Sequence, residues 1–363
     1  MGKRLSIVVL GANGQVGTEV CLYLSLLPDA LVTGLVRAKY NAVLLDLAGI
    51  AWDVLDYQNI STTAAAVLGQ ADAVFDCTFP AGQQQQLADL ILGNAESVMR
   101  AMRKDAVYIH SSSISAFGMP MNSPELKNYR FARTGYARVK RVAESRISTV
   151  SRRYGVRTCH LRLGQVHGVL QSVTRQLWGL IEHGGLTVVG TADSLSNVVF
   201  AHSVALACQQ AAAGFIADGQ IETVVASPQW TLETLYKTYE ELFGQQFEVR
   251  YQGGPAGHAR SSVVAGIIRL GRPFRSVLEA QILPLVPGIA PRMKGLYRVH
   301  EVLRDRSGRQ QSVQSSPVYN LTGPVPGHIV KNTRSSPSES IDAFRRIQAR
   351  LEEILQLGVS KGC

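Results

Sequence analysis

The sequence predicts an α/β fold, a doubly wound parallel sheet followed by a smaller, mostly helical C-terminal lobe. Two observations lead there. Apolar runs of strand length alternate with segments of helix length over the first 163 residues, a pattern that requires crossover helices and parallel strands. The first of these runs passes directly into a glycine-spaced turn, Gly11-Ala12-Asn13-Gly14-Gln15-Val16-Gly17.

The elements follow in order. Ser6–Leu10 is a buried first strand, too short for the apolar region of a signal peptide, and Gln15–Leu26 is a helix. Ala30–Val36 is the second strand, Ile50–Asp53 a short third one and Thr62–Leu68 a short helix. Ala73–Asp76, Gln84–Met102, Ala106–Ser111, Tyr136–Tyr154 and Arg157–Leu163 continue the alternation of strand and helix. Beyond Gly164 the pattern loosens. Thr174–His183, His202–Ala213 and Thr231–Phe243 read as helices, the last with Thr231 as its N-cap, and Thr187–Val189, Thr223–Ala226 and Phe247–Tyr251 as extended. Gly253-Gly254-Pro255 is a turn. Ser261–Leu303 is apolar and partly helical, broken by Pro284, Pro287 and Pro291; residues 305–340 are loop-like, and Ser340–Leu357 closes the chain as a helix. The sheet domain is thus expected in residues 1–168, with 197–226 returning to it, and the substrate-binding lobe in 169–196 and 227–363.

Composition narrows the function classes. The chain has 363 residues, 46% hydrophobic and 18% charged, and no run approaches the ~18 apolar residues of a membrane span. The five cysteines form no Cys-x-x-Cys pair, which argues against a disulfide framework or a zinc site and for a reducing, cytoplasmic setting. His110, His160, His167 and His202 show no metal-ligand spacing, so no metal is expected. The net charge of +10 is concentrated late: from Arg260 onward there are 16 Lys/Arg and 7 Asp/Glu. A basic surface of this kind draws anions. Its arginines alternate with Leu, Ile and Pro rather than with stacking aromatics, which speaks against nucleic acid. Ile267–Leu303 has three readings: the core of the lobe with a substrate lid, which is favoured, a homodimer face, or a surface for a lipid-like or carrier-bound substrate.

The glycine turn has the spacing of a dinucleotide cradle. Gly11 allows the tight strand-to-helix turn, Gly14 lets the backbone approach a pyrophosphate, and Gly17 lets the helix lie close to the sheet. The phosphates then meet free N–H groups at the helix start, flanked by Asn13, Gln15 and Val16. This makes the first domain Rossmann-type. Asp53 and Val54, ending the third strand, are expected to hold the adenine, with simple helix capping as the alternative for Asp53. Cys77 and Thr78 follow the fourth strand at its carboxyl end, where ligands of such sheets bind. At the end of the second strand stands Arg37, where an acidic residue would favour NAD. A guanidinium suits a 2′-phosphate, so NADP is favoured over NAD.

Tyr136-Ala137-Arg138-Val139-Lys140 puts a tyrosine and a lysine on one helix face. A free phenol has a pKa of ~10, and a nearby ammonium stabilises its anion. Tyr136 can then exchange a proton with a substrate oxygen as hydride moves, while Lys140 also holds the nicotinamide ribose. Ser113, in the run His110-Ser111-Ser112-Ser113 that ends the fifth strand, is placed to hydrogen-bond that oxygen.

Taken in this order, the motifs over roughly residues 5–245 resemble the extended short-chain dehydrogenase/reductase family, which includes nucleotide-sugar epimerases, dehydratases and reductases. Leu161-Arg162-Leu163-Gly164, Asn94 and Asn197–Ala205 match its later features. The resemblance implies a nicotinamide-dependent enzyme with Tyr136, Lys140 and Ser113 as its catalytic set. Ile114 and Ser115 stand where dehydratases of the family carry an acid, which argues against a 4,6-dehydratase; Phe117 replaces a tyrosine and Ser203 an aspartate. The expected function is an NAD(P)-dependent oxidoreductase acting on a keto or hydroxyl group of a nucleotide sugar or similar anionic metabolite. The alternatives are an epimerase with tightly bound NAD, and a redox-sensing or RNA-binding member of the superfamily.

Overall fold

The computed structural model describes residues 4–38, 42–80, 84–117, 135–182, 186–252, 329–331 and 333–360. The expected turn at Gly253-Gly254-Pro255, the stretch Ser261–Leu303 and most of 305–340 lie outside them. Contacts divide the chain into two compact units: one of Met1–Leu186, Thr191–Tyr251 and Pro317–Cys363, the other of Thr187–Gly190 and Gln252–Ser316.

The larger unit is built on a seven-stranded sheet. In chain order the described elements of the two units begin β1 Leu5–Leu10, α1 Gln15–Ser25, β2 Ala30–Val36, α2 Val43–Leu47, β3 Ala51–Val54, α3 Thr62–Gln70, β4 Ala73–Asp76 and α4 Gln84–Ala101. They continue with β5 Val107–Ser113, α5 Gly135–Tyr154, β6 Arg157–Leu163, β7 Gln165–His167, α6 Ser172–Glu182 and β8 Leu186–Val189. The chain then forms β9 Val198–Phe200, α7 Ala201–Ala212, β10 Gln220–Val224, α8 Leu232–Phe243, β11 Val249–Gln252 and α9 Pro337–Ser360. The sheet order is β10-β6-β5-β4-β1-β2-β3, and every pairing is parallel. Chain order reverses between β1 and β4, which creates a crevice at the strands' carboxyl ends.

Alternation along the strands explains the two layers. On β1, Ile7 and Val9 join the core beneath α1, α7 and α9, while Val8 and Leu10 join the core beneath α3, α4 and α5. On β5, Val107 and Ile109 take the first side and Tyr108 the second. All four residues Ile7–Leu10 are at most 1% exposed, each contributing ~1.5–3 kcal/mol of burial. Helix ends follow local chemistry: Ser61 caps α3 by accepting from Ala64 N–H at 3.1 Å, and Thr231 caps α8 by accepting from Thr234 N–H at 3.1 Å, as expected for Thr231.

Four elements differ from expectation. The five-residue α2 is shorter than any helix that periodicity can reveal. The short β7 and β9 pair in parallel beside Gly164, whose added Cβ would stand 2.2 Å from the Asn197 carbonyl oxygen. The closing helix starts at Pro337, three residues earlier than expected, because Ser336 caps it through Glu339. Before it, Ile329 bridges to Thr223 of β10, and Trp230 Nε1 donates to the Ser335 carbonyl at 2.9 Å. α9 packs on α1, α2, α7 and α8, with Ile347 and Ile354 fully buried. Among the described residues no helix is long and apolar enough to cross a membrane.

Candidate active site

The turn after β1 has the geometry its glycines require. Gly11 has φ +74°, its N–H donates to the Leu35 carbonyl at 2.9 Å, and Gly14 N–H donates to the Gly11 carbonyl at 2.8 Å. A Cβ on Gly17 would stand 2.2 Å from the Gly11 oxygen, so α1 can lie on its own turn only with glycine there. Gly14 occupies the N-cap without a side-chain cap, which leaves the first-turn N–H groups free of any side-chain acceptor at that position. These features fit the phosphates of a dinucleotide.

Above the turn lies a cleft of about 360 Å³. Of the expected cofactor residues, Gly11, Asn13, Gly14, Arg37, Cys77 and Thr78 line it. Gln15, Val16, Gly17, Asp53, Val54, Tyr136 and Lys140 do not. Gln15 ties α1 to the start of α6, accepting from Ser172 N–H at 3.1 Å and, through its carbonyl, from Gln171 Nε2 at 3.0 Å. Val16 packs on the core. The Asp53 carboxylate accepts from the Thr63 hydroxyl at 2.5 Å and from Val54 N–H at 2.7 Å, whereas the cap of α3 is Ser61. Leu35, Leu55, Tyr57, Phe79 and Pro80 also line the cleft, as does Asn94, picked out by its family position.

The second half of the site comes from β5 and α5. Tyr136, at the start of α5, hydrogen-bonds the Ser113 side chain at the end of β5. Its residue surface is 42% exposed, yet crowding around the oxygen pushes the phenol above its ordinary value, and the bond with Ser113 only partly offsets this. Lys140, one turn on and 4% exposed, donates from Nζ to the Ser111 carbonyl at 2.6 Å and lies 6.0 Å from the Tyr136 ring centre. Burial pulls the Lys140 ammonium down to about 8, opposed most strongly by the negative charge of Asp76. Phe79 stands against both residues, its ring centre 5.3 Å from that of Tyr136 and 5.2 Å from Lys140 Nζ.

Asp76 and Phe79 are absent from the sequence-derived set. Asp76, the buried last residue of β4, accepts from Thr78 N–H at 2.9 Å, from Thr78 Oγ1 at 2.6 Å and from the Tyr108 hydroxyl. A carboxylate that closes an otherwise apolar strand was the available signal. Beneath Lys140, Glu144 and Arg162 form a buried bidentate pair at 2.9 and 2.7 Å, to which Ser112 Oγ donates at 2.5 Å. His110 is buried and, pushed far down by burial, Lys140 and His160, stays neutral.

Residues 7–221 match the model of the NAD dependent epimerase/dehydratase family. No curated protein matches the chain. Among solved structures, it is similar to the UDP-N-acetylglucosamine 4-epimerase of Methanobrevibacter ruminantium M1, in complex with UDP-N-acetylmuramic acid, at 18% identity and TM-score 0.53, covering 70% of this chain and 87% of that one. It is similar to the UDP-glucuronic acid 4-epimerase of Bacillus cereus, in complex with NAD, at 16% identity and TM-score 0.52, covering 69% and 87%. It is also similar to the ADP-L-glycero-D-manno-heptose-6-epimerase of Helicobacter pylori, at 16% identity and TM-score 0.53, covering 69% and 86%. These likenesses reproduce the fold, and the family match spans more than half of the chain. The chain therefore belongs to the NAD-dependent epimerase/dehydratase family, the extended short-chain dehydrogenase/reductase enzymes that work with NAD(P).

Proposed function

We propose that this enzyme reduces a keto group, or oxidises the corresponding hydroxyl, on a nucleotide sugar or similar anionic metabolite, with NADP(H) as the favoured cofactor. The observation that carries this reading is the meeting of Tyr136, Ser113 and Lys140 beside the glycine cleft. The bound cofactor would supply the hydride exchange. Gly11 and Gly14 would hold its pyrophosphate, and Arg37 on the cleft wall would pair with a 2′-phosphate. A phenol keeps its proton at neutral pH, and burial favours that form of Tyr136 further, which is the form needed to protonate the oxygen of a carbonyl being reduced. Ser113 would orient that oxygen, and the charged Lys140 would favour the tyrosinate that remains. The basic C-terminal hundred residues support an anionic substrate.

A second reading, an epimerase that keeps its cofactor and returns the hydride to the other face of a sugar carbon, uses the same residues. It is favoured by the structural neighbours, which include 4- and 6-epimerases of nucleotide sugars. Cofactor turnover separates the two, since an epimerase consumes none.

The test is a panel of keto- and hydroxy-sugar nucleotides with NADPH, NADP⁺, NADH and NAD⁺, wild type beside Tyr136→Phe. Turnover in the variant should fall by ~10²–10⁴-fold while folding and cofactor binding persist. An active wild type whose Tyr136→Phe variant turns over equally fast would remove Tyr136 from the mechanism.

A further inference from the structure

Phe79 belongs to both halves of the site. It lines the dinucleotide cleft, and 45% of its surface is exposed. Its ring also stands 5.3 Å from that of Tyr136, with the planes at 56°, and Lys140 Nζ lies 5.2 Å from its centre. The backbone around it is held. On one side Thr78 is bonded through its N–H and hydroxyl to the buried Asp76; on the other Pro80 has a fixed φ. A large apolar ring, fixed in place and open to a cleft, gains by being covered. The group that reaches the end of a dinucleotide cleft beside an acid/base tyrosine is the cofactor's flat pyridine ring, which has the shape to cover a phenyl face.

We propose that Phe79 positions the pyridine ring of the bound dinucleotide, packing its exposed face against that ring while Lys140 and Tyr136 hold the phenyl from the protein side. The proposal rests on the reading that the cleft binds NAD(P). Phe79 acts through contact with the cofactor and exchanges no proton.

The experiment compares two ligands that differ only in that ring. Calorimetric Kd values are measured for NADPH and 2′-phospho-ADP-ribose, and for NADH and ADP-ribose, on wild type, Phe79→Ala and Phe79→Tyr. With whichever pair binds more tightly, Phe79→Ala should lose about tenfold for the whole dinucleotide, of the order expected for one aromatic contact. Affinity for the ringless ligand should stay within about twofold, which also shows that the variant is folded. Phe79→Tyr should keep both affinities. Unchanged or tighter dinucleotide binding by Phe79→Ala overturns the proposal, as does an equal loss for the ringless ligand. If wild type binds ADP-ribose or its 2′-phosphate but gains nothing from the pyridine ring, the cleft assignment stands and the role of Phe79 fails. If wild type binds none of the four ligands, both fail.

Discussion

Lys140 donates its Nζ proton to the Ser111 carbonyl at 2.6 Å, which anchors the buried ammonium to the end of β5 instead of to the Tyr136 phenol. This arrangement costs stability. Burial lowers the lysine from 10.5 to about 8, and a tenfold change in a protonation equilibrium is ~1.4 kcal/mol. Between those two values the unfolded chain binds a proton that the folded chain has released, so stability rises with pH. Below pH 8 the lysine is charged in both states and the full cost remains. Lys140→Met should therefore stabilise the protein at pH 7 by up to ~3 kcal/mol, a gain that fades as pH approaches 10.5, while activity is lost. Denaturant midpoints at a series of pH values check both limbs; a destabilised variant at pH 7 would contradict the argument.

Arg37 lines the cleft near Tyr57 and Leu55, on the side remote from Tyr136 in sequence and sheet order. Arg37→Asp should weaken NADPH binding by ~1.5–3 kcal/mol through loss of a charge-assisted pair, and should leave NADH binding nearly unchanged. Nucleotide fluorescence titrations measure both. An equal loss for the two cofactors would place the 2′-phosphate elsewhere.

Gly14 and Gly17 should fail in different ways. Gly14 has an extended backbone, φ −82° and ψ 165°, open to any residue, and its added Cβ would meet only the Gly11 oxygen, at 3.2 Å. Gly14→Val should stay folded and lose the dinucleotide. At Gly17 the added Cβ would lie 2.2 Å from the same oxygen and 2.8 Å from its carbon. Gly17→Ala should cost at least ~1–3 kcal/mol of stability. Thermal unfolding beside cofactor titration distinguishes them; a normally stable Gly17→Ala protein would mean that the turn is looser than its geometry requires.

Glu19, fully buried on α1, accepts from Val169 N–H at 2.8 Å, Leu170 N–H at 3.2 Å and Gln171 Nε2 at 2.8 Å. Burial outweighs these bonds and raises its carboxyl from 4.5 to about 7. The folded protein then holds a proton that the unfolded chain has lost, so this group makes stability fall as pH rises from 4.5 to 7, by up to ~3 kcal/mol. Glu19→Gln should abolish that slope, read from unfolding midpoints between pH 4.5 and 8. A slope that persists in the variant would assign it to another group.

The legible part of this protein was local. Alternating apolar residues on β1 and β5 place side chains on two opposite faces whatever the rest of the chain does, and so announce two helical layers. The glycine turn and the Tyr136–Lys140 spacing are set within one turn and one helix, where distance along the chain fixes distance in space. Asp53 shows the limit of such reading. A carboxylate at a strand end suits both adenine and a neighbouring hydroxyl, and no spacing in the sequence tells that Thr63 donates to it.

Tertiary structure decided which residues meet across the sheet. Asp76 and Phe79 reach Lys140 because β4 and β5 lie side by side, and no spacing in the sequence encodes that neighbourhood. Glu19 finds its partners about 150 residues away, and Trp230 binds Ser335 across 105. The height of the Tyr136 phenol and the lowering of Lys140 were also settled there. Both follow from how much water the packed elements exclude, and burial is a property of the assembled fold rather than of any segment.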